Sequence, residues 1–537
     1  MRVLVIDALT LGTGQRHFTR DFIGAGPRMV ASTLRHCNQD VSLIRGEDFL
    51  ENSSIHSKNH DICFISAMSM DKTSVLNIAR KWKKKNDNRG NFVLVGGPIA
   101  SGYEIFIRDP NIDFAVIGEG EKILQELFQD EKGFTSKESL PLDGLVSETN
   151  FKSINVQDLL TRYRPGIPLI EKINPGIDLL KSYKNDWAAR IYIECMRGCS
   201  NFTRAKINAN SEYICKDCGY CDPGNDLKVD DPCVAGIKPG CGFCSTPAVF
   251  GPVRSFSEKH VVEQVKDAVG AGCHRIVLGG SDFLEYKRED LFEEGYTRPK
   301  IPPKPNYEAI QGLISSITSI KEVQDGVVQI FIENVKAGLC DEESFEIISN
   351  IPNISLTIGV ETGCEEHLNL IGKSTTMDDI KNAVHLANKH DVRYSAYFVH
   401  SLPGQTKETV GKSLSLMKWL HENDVEKITI YRFKPLPMTA FENYKPSKKT
   451  LGESSSIVKL ARQINSSKKT KYIGNTYDVL IAEEDYRQEG DAIGYMLGGG
   501  PKVKIKGGKQ HVNDRKIHLV KVTAAISDKI IEGEIIS

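Results

Sequence analysis

Short apolar runs separated by helical stretches fill the first 130 residues of this 537-residue chain. Five of these runs are predicted strands, and they begin at Arg2, Asp40, Asp61, Asn91 and Asp113. Continuous apolar runs of this length are typical of strands buried on both faces of a parallel sheet. With helices between them they form βαβ units, so residues 1–130 are predicted to be a doubly wound α/β domain. Ligands of such a sheet bind at the carboxyl ends of its strands.

A second α/β region follows a polar connection over residues 131–188. Its six predicted strands begin at Arg190, Arg275, Val328, Ile354, Arg393 and Lys427. Six βα units are too few for a complete eight-stranded barrel, so residues 189–448 are predicted to form a partial (βα)6 barrel. From Tyr477 onward the runs are short, β-rich and punctuated by glycine. Residues 449–537 are therefore predicted to be a helical linker followed by a small β barrel.

Overall charge and hydropathy exclude several classes of protein. The formal charge of −1 gives no global attraction to nucleic acid or anionic lipid, so any such binding must come from a local patch. No run approaches the roughly 20 apolar residues of a membrane span, and the first residues do not have the pattern of a signal peptide. We therefore expect a cytoplasmic protein with no membrane partner.

Eight of the thirteen cysteines lie between Cys195 and Cys244. A chain of this length does not need cross-links to stabilise its core. In a reducing cytosol, clustered thiols are metal ligands more often than disulfides. The segment is therefore predicted to bind metal, and CxxC spacing alone is also compatible with a structural zinc site.

The residues around these cysteines resemble the cluster-binding loop of the radical S-adenosylmethionine (SAM) superfamily. IECMRGCS ends the first strand of the second region, and CGFCSTP follows after residues 200–240, which interrupt the CxxxCxxC pattern of that superfamily. The resemblance implies that Cys199, Cys241 and Cys244 hold a 4Fe–4S cluster whose open iron binds SAM. It also implies an electron donor of the flavodoxin or ferredoxin type. A competing assignment makes Cys215, Cys218 and Cys221 the triad, but its spacing differs and it separates the triad from STP.

Other motifs of that superfamily lie at the ends of later predicted strands, in the expected order. Gly279, Gly280 and Ser281 resemble the Gly-Gly motif that meets the methionyl amine of SAM, and Glu361 lies in a motif that contacts the ribose. LPGQT, from Leu402, resembles the turn after the fifth strand. Each motif alone also fits a simple turn between strand and helix. Their common order favours the superfamily.

Within the interrupting segment, YICKDCGYC resembles a rubredoxin or zinc-ribbon knuckle. Such a knuckle supplies two thiolates to a tetrahedral site that needs four. Cys215, Cys218, Cys221 and Cys233 are therefore predicted to bind zinc, a mononuclear iron or an auxiliary cluster. Cys195 is left over as a buried strand residue.

The N-terminal domain resembles the cobalamin-binding domains that precede some radical SAM cores. The similarity rests on VLVGGP, which contains Gly96 and Gly97, and on VIGEGE, which contains Gly118 and Glu119. It implies that these residues bind cobalamin (B12). The Asp-x-His-x-x-Gly motif is missing, so the lower ligand of the cobalt stays open, and His17 is a candidate. The alternative is a domain of the same fold without cofactor.

The C-terminal region resembles the TRAM domain, a small RNA-binding barrel of tRNA methylthiotransferases. Its basic run is predicted either to contact phosphates or to be a solvated hairpin face. That run consists of Lys502, Lys504, Lys506, Lys509, Arg515 and Lys516.

These resemblances imply a cobalamin-dependent radical SAM enzyme that methylates an unactivated carbon. The substrate is not defined, and a protein side chain, a tRNA base, a lipid and a small natural product all stay open. One alternative is a methylthiotransferase or another tRNA-modifying radical enzyme. A second alternative is a nonenzymatic zinc-ribbon protein that binds RNA. No catalytic acid or base is assigned.

Overall fold

A computed structural model describes residues 1–9, 21–85, 91–129, 144–210, 212–222, 224–225, 231–292 and 301–536. It divides into two compact units, Met1–Asp186 and Trp187–Ser537. The candidate ligand His17 lies outside the described residues. Within those residues, no helix has both the length and the hydropathy that crossing a bilayer requires.

The first unit alternates strands and helices. Its strands are β1 (Arg2–Asp7), β2 (Phe22–Ile23), β3 (Asp40–Arg45), β4 (Ile62–Ser66), β5 (Phe92–Gly96), β6 (Phe114–Val116) and β7 (Leu145–Val146). Its α-helices are α1 (Ala25–His36), α2 (Gly46–Glu51), α3 (Ser53–Asn59), α4 (Lys72–Lys85), α5 (Glu104–Ile107), α6 (Gly120–Gln129), α7 (Val156–Arg162) and α8 (Ile167–Ile170). Short 3₁₀ turns cover Pro98–Gly102, Phe151–Ser153 and Ile177–Ser182.

The sheet of this unit has the order β3-β1-β4-β5-β6-β7. All neighbouring pairs are parallel except β6–β7, which is antiparallel. This confirms the doubly wound α/β fold predicted from the apolar runs. The compact unit reaches Asp186, so it also includes residues 144–186 of the segment treated above as a connection.

Burial of the strands explains why the runs are continuously apolar. Val3, Leu4, Val5 and Ile6 of β1 are all fully buried, because side chains on both faces of the strand are covered. Trp82 of α4 is also fully buried and packs in the same core. Each such side chain contributes about 1.5–3 kcal/mol of burial free energy.

The second unit contains a partial barrel, a cysteine-rich segment and a small closed barrel. Its strands are β8 (Arg190–Glu194), β9 (Met196–Arg197), β10 (Arg254–Ser255), β11 (Arg275–Gly279), β12 (Gln329–Val335), β13 (Ser355–Glu361), β14 (Arg393–His400), β15 (Lys427–Arg432), β16 (Thr476–Glu484), β17 (Ala492–Met496), β18 (Lys502–Ile505), β19 (Ile517–Ala525) and β20 (Ile530–Ile535). Its α-helices are α9 (Thr246–Phe250), α10 (Glu258–Gly270), α11 (Tyr307–Thr318), α12 (Lys321–Gln324), α13 (Glu342–Ile348), α14 (Glu365–Leu370), α15 (Met377–Lys389), α16 (Lys407–Glu422), α17 (Lys448–Glu453) and α18 (Ser455–Lys469). Its 3₁₀ turns cover Phe283–Glu285, Arg288–Leu291, Ala337–Leu339, Thr470–Tyr472 and Gly508–His511.

Strands β8, β11, β12, β13, β14 and β15 lie side by side in that order, and every neighbouring pair is parallel. These are the six strands predicted from sequence, so the partial barrel is confirmed. Five of the helices between them begin at polar N-cap side chains that accept a hydrogen bond from the first turn, which stabilises each of these helix starts. These N-caps include Ser257, Asn306, Asp341, Thr376 and Thr406.

The last five strands close into a barrel with the order β16-β17-β18-β20-β19. Four of its strand pairs are antiparallel, and β18–β20 is parallel. The barrel predicted from glycine-punctuated runs is therefore confirmed, with the parallel pair as an addition. Closure leaves no unpaired strand edge.

Lys469, the last residue of α18, is a buried lysine that opposes folding. It is 3% exposed, and burial lowers its pKa from 10.5 to about 8. Between these values the unfolded chain binds more protons than the folded one, so stability rises with pH across this window. Lys469→Met should stabilise the protein at pH 7 by on the order of 2–3 kcal/mol.

The stabilisation by Lys469→Met should shrink as the pH rises from about 8 toward 10.5. Urea unfolding midpoints measured across this pH range test this expectation. Lys471→Met is the matched control, because Lys471 is exposed and its ammonium lies at the same distance, 5.8 Å, from the Tyr472 ring. A stabilisation of equal size at every pH would show that the buried charge is not its cause.

Candidate metal centre

Cys199 lies just after β9, and Cys241 and Cys244 lie just before α9. The amide of Cys199 donates to the carbonyl of Gly251 at 3.1 Å, and that of Cys244 donates to the carbonyl of Cys241 at 2.9 Å. Cys241 and Cys244 both act electrostatically on the Cys199 thiol. The structure therefore brings the three thiols of the sequence prediction into one neighbourhood beside the end of β8.

Hydrogen bonds hold the loop around Cys241. The side-chain amide of Asn201 donates to the Cys241 sulfur at 3.2 Å and to the carbonyl of Gly372 at 3.0 Å. The amide of Gly242 donates to the carbonyl of Ile371 at 2.8 Å. Contacts of this kind orient a ligand before the metal arrives, which is the usual role of groups behind a metal ligand.

The buried thiols favour their neutral form when no metal is bound. Burial raises the pKa of Cys199 to about 12 and that of Cys241 to about 11, although Lys336 lowers both. A metal or cluster binds thiolates, so loading this centre releases protons and replaces them with positive charge.

A buried charged network lies behind Cys199. The amide of Ser200 donates to the Glu285 carboxylate at 2.9 Å, and Lys336 and Arg288 pair with the same carboxylate. Although burial favours the neutral acid, these two cations hold the pKa of Glu285 below its usual value. The network therefore carries an ionised, fully buried glutamate that fixes the residue next to Cys199.

The Gly279-to-Asp282 motif follows β11. Ser281 Oγ and Asp282 Oδ2 are buried, and neither has a hydrogen-bond partner among the described residues. A Cβ added at Gly280 would lie 2.8 Å from Met196 Cγ, so a larger residue there would displace the Met196 side chain. Lys336 lies 4.0 Å from Asp282 Oδ2 as an ion-pair partner. Buried polar atoms are normally hydrogen-bonded, so the Ser281 hydroxyl fits contact with a small polar ligand such as an amino acid end group.

Glu361, the last residue of β13, is held in a strained conformation. Its φ of +65° is uncommon for a residue with a side chain, and such strain is concentrated at functional sites. Its carboxylate accepts a 3.0 Å hydrogen bond from Lys373. Burial opposes the charge on Lys373, but Glu361 and Cys241 raise its pKa. This ion pair borders the thiol neighbourhood, because Glu361 and Lys373 both act on the pKa of Cys241.

Sequence reasoning missed a polar and aromatic group on the strands of the partial barrel. The Tyr192 hydroxyl donates to the Glu333 carboxylate, which also accepts from Arg190 at 3.1 Å. The rings of Tyr397 and Tyr431 meet edge to face, 5.5 Å apart. Alternate residues of a strand face the same side of the sheet. Polar and aromatic residues at alternate positions of β8 and β14 are the sequence signal that could have identified this group.

The cysteine-rich segment is anchored at its base. Arg204 is buried and donates to the carbonyl of Ile237 at 2.8 Å, and Ala205 and Ile207 pack in a core cluster with residues of the partial barrel. The segment is thus part of the second unit's core at the residues next to Cys199.

The four thiols predicted to form an auxiliary site are not brought together as a single-ion site. Cys218 is exposed, and Cys215, Cys221 and Cys233 are half-buried. No three of them have all their sulfurs within 4.8 Å of one another. A tetrahedral site with metal–sulfur bonds of about 2.3 Å requires shorter separations than that.

In the first unit the predicted cobalamin residues lie at the carboxyl ends of neighbouring strands. Gly96 and Gly97 end and follow β5, and Gly118 and Glu119 follow β6. Gly97 has φ +88°, and a Cβ there would lie 2.7 Å from the carbonyl oxygen of Ala67. These positions form the edge at which sheets of this type bind ligands.

Two exposed methionines lie at the same edge. Met68 and Met70 follow β4, and they are 49% and 41% exposed. Large apolar side chains left in solvent at a strand-end edge are suited to contact with a bound ligand.

Three of the six residues in the basic run of the C-terminal barrel form ion pairs with carboxylates of the same barrel. Its ion pairs are Lys504 with Asp491 at 3.0 Å, Lys506 with Glu532 at 2.7 Å and Lys509 with Glu484 at 2.9 Å. These lysines form less of a cationic surface than the sequence suggested, which favours the solvated hairpin face over phosphate binding.

Residues 236–417 match the Radical SAM superfamily, and this range contains Cys241, Cys244 and the strand-end motifs. The fold resembles that of TsrM from Kitasatospora setae, a radical SAM methyltransferase solved with cobalamin and a 4Fe–4S cluster. The TM-score is 0.56 at 12% identity over 82% of this chain and 77% of that one. It also resembles the cobalamin-dependent radical SAM enzyme OxsB, with a TM-score of 0.53 at 17% identity over 85% of this chain and 56% of that one. The chain therefore contains a radical SAM domain, and its fold resembles those of cobalamin-dependent radical SAM enzymes.

The chain belongs to a family that includes the uncharacterised protein MJ1620 of Methanocaldococcus jannaschii. The two are 36% identical over 537 residues, which is 100% of this chain and 99% of the relative. MK0932 of Methanopyrus kandleri is 36% identical over 99% of this chain and 96% of its own length. The tRNA-2-methylthio-N(6)-dimethylallyladenosine synthase of Clostridium novyi is 22% identical over 69% of this chain and 78% of the relative.

Gly198 is required immediately before Cys199. Its φ is +84°, and a Cβ there would lie 2.0 Å from the carbonyl oxygen of Pro252. Gly198→Ala should therefore displace the Cys199 loop and weaken the affinity for the cluster by about 10–100-fold. The measurement is the iron bound per chain after anaerobic reconstitution, which should fall.

Gly236→Ala separates the steric clash from the backbone strain. Gly236 also has a positive φ, +71°, but nothing lies within 4 Å of an added Cβ. This variant should lose about 1–2 kcal/mol of stability and keep its iron. Equal iron loss in both variants would contradict a specific role for Gly198.

Proposed function

We propose that this protein is a cobalamin-dependent radical SAM enzyme that methylates an unactivated carbon of its substrate. The observation that carries the proposal is the convergence of Cys199, Cys241 and Cys244. Lys336 acts on both the Cys199 thiol and the Asp282 carboxylate, which connects these thiols to the motif after β11. The fold shared with TsrM and OxsB supports it, because both of those enzymes are cobalamin-dependent or bind cobalamin.

In this proposal Cys199, Cys241 and Cys244 hold a 4Fe–4S cluster as thiolates. Gly279, Gly280 and Ser281 meet the amino acid end of SAM, and Glu361 meets its ribose. When bound, these groups supply a radical that removes hydrogen from carbon, and cobalamin supplies the methyl group. Asn201 and the Glu285 network keep the thiol loop in place. A flavodoxin or ferredoxin type of protein delivers the electron.

The polar and aromatic group on the barrel strands is proposed to position the substrate. Tyr192, Tyr397 and Tyr431 offer hydroxyls and ring faces, while Glu333 is fixed by Arg190. Side chains fixed by such contacts hold a reacting group in one orientation.

Cobalamin is proposed to bind at the carboxyl edge of the first unit's sheet. Gly96, Gly97, Gly118 and Glu119 line that edge, and the apolar surface of Met68 covers part of it. The insert thiols Cys215, Cys218, Cys221 and Cys233 are proposed to rearrange around a zinc or iron ion of their own.

Anaerobic reconstitution of the full chain with iron, sulfide and hydroxocobalamin tests the proposal. The protein should retain corrinoid after gel filtration, and with SAM and dithionite it should form 5′-deoxyadenosine. Zinc with no SAM cleavage would overturn the radical enzyme, and iron–sulfur without corrinoid would overturn the methyltransferase.

A methylthiotransferase is the second candidate, favoured by similarity to the Clostridium novyi tRNA-modifying enzyme and by the closed C-terminal barrel. It predicts transfer of sulfur together with methyl to tRNA, detected with ³⁵S-labelled sulfide. The paired lysines of the barrel argue against a strong tRNA contact there. The nonenzymatic RNA-binding alternative is not proposed, because the Radical SAM match covers the strand-end motifs.

A further inference from the structure

We propose that the C-terminal barrel binds one divalent metal ion of the zinc class through His511, Asp514 and His518. Within the part of the chain that the structure describes, this is the only group of three such side chains whose ligand atoms all lie within 4.8 Å of one another. None of the three belongs to the strand-end centre or to the cysteine-rich segment. We call this group the barrel triad.

The donor atoms of the barrel triad converge on one point in the barrel wall. Nε2 of His518 lies 2.8 Å from Oδ2 of Asp514, and Nδ1 of His511 lies 3.3 Å from the same oxygen. The two imidazole rings are 4.7 Å apart and inclined at 63°. Two imidazoles and a carboxylate form a donor set that zinc and other first-row transition metals prefer.

The fold of the barrel sets the positions of these ligands. His518 is the second residue of β19 and pairs in register with Val479 of β16. The second carboxylate oxygen of Asp514 accepts the backbone N–H of Lys516 at 3.0 Å, which leaves Oδ2 facing the histidines. His511 ends the 3₁₀ turn that precedes β19. A bound ion would therefore tie this turn to the barrel wall.

The triad also has a supporting contact and a path to solvent. The side-chain nitrogen of Gln510 lies 3.2 Å from Nε2 of His511. Rotation of this amide by a half turn would place its oxygen there, where it would accept the N–H of a ring bound to metal through Nδ1. His518 is 8% exposed at its side chain, whereas His511 and Asp514 are 30% and 23% exposed. An ion can enter from that side, and three protein ligands leave one position for water.

Zinc content of the full-length, cluster-reconstituted protein tests this site. After equilibration with zinc chloride and gel filtration, the wild type should hold one more zinc per chain than His511→Gln or Asp514→Asn. Both changes are at partly exposed positions, and the loss in affinity should exceed the about 10–100-fold effect of removing an outer contact. His385→Gln, at an exposed histidine of α15, is the control and should keep the ion.

Cobalt(II) separates this site from the cysteines. The ion lost in His511→Gln should show only the weak visible bands of nitrogen and oxygen ligation, without the intense near-ultraviolet bands of thiolate ligation. Iron content and SAM cleavage should be unchanged, so failure here is distinguishable from failure of the proposed function. Equal zinc content in wild type, His511→Gln and Asp514→Asn would overturn the proposal and leave a hydrogen-bonded His–Asp–His group.

Discussion

Cys241→Ser is expected to abolish the iron–sulfur cluster and to reduce SAM cleavage to background. Cys241 is one of three thiols in mutual electrostatic range, and Asn201 orients its sulfur. A cluster with an open iron needs all three thiolates, and serine at this buried position is a poor substitute. The measurement is iron and sulfide per chain after anaerobic reconstitution, together with 5′-deoxyadenosine formed with dithionite.

Two cysteines of the same region serve as controls for this result. Cys195→Ala changes a buried residue between β8 and β9 whose sulfur contacts the backbone of Ile193 at 3.9 Å, and it should keep the full iron content. Cys218→Ser changes an exposed thiol of the competing triad and should also keep SAM cleavage. Loss of cleavage in Cys218→Ser with retention in Cys241→Ser would reverse the assignment.

Glu285→Ala is expected to cause the largest loss of stability. Glu285 is fully buried, and its carboxylate pairs with Lys336 and Arg288 while it accepts two hydrogen bonds from Ser200. Removing it leaves two buried cations without their main partner, which costs about 3–5 kcal/mol. Urea unfolding of the full chain measures this loss. Iron binding should weaken as well, because Ser200 adjoins Cys199.

Glu343→Ala is the matched control, because Glu343 is an exposed carboxylate on α13. Its effect should stay within about 0.5 kcal/mol. The low pKa of Glu285 adds a pH signature. Its contribution is present above the unfolded carboxyl pKa and disappears as the pH falls through the lower folded value, so the two variants should converge in strong acid. A cost for Glu285→Ala that is no larger than that for Glu343→Ala would contradict the network.

Much of the fold was predictable because strand burial leaves a direct pattern in the sequence. The runs from Arg2, Arg190 and Arg393 became β1, β8 and β14 at nearly the predicted residues. The parallel pairing of Ile530–Ile535 with β18 was not predicted, because the two strands are not consecutive in the chain and no local turn joins them.

The site was only partly predictable, because its supporting groups act across the fold. Glu285 and Lys336 are both distant in sequence from Cys199, and neither belongs to a local motif. Tyr192 and Glu333 meet only because β8 and β12 flank β11 in the sheet. The pairing of Lys506 with Glu532 likewise depends on barrel closure, so a basic run in sequence did not predict a basic surface.

Electron paramagnetic resonance of the reduced, reconstituted protein, recorded with and without SAM, tests the central claim most directly. If Cys199, Cys241 and Cys244 hold a 4Fe–4S cluster with one open iron, a single reduced-cluster signal should appear. Its g values should shift when SAM is added, because SAM binds that iron. A signal that SAM leaves unchanged, or a protein that binds zinc and shows no iron–sulfur signal, would contradict the account.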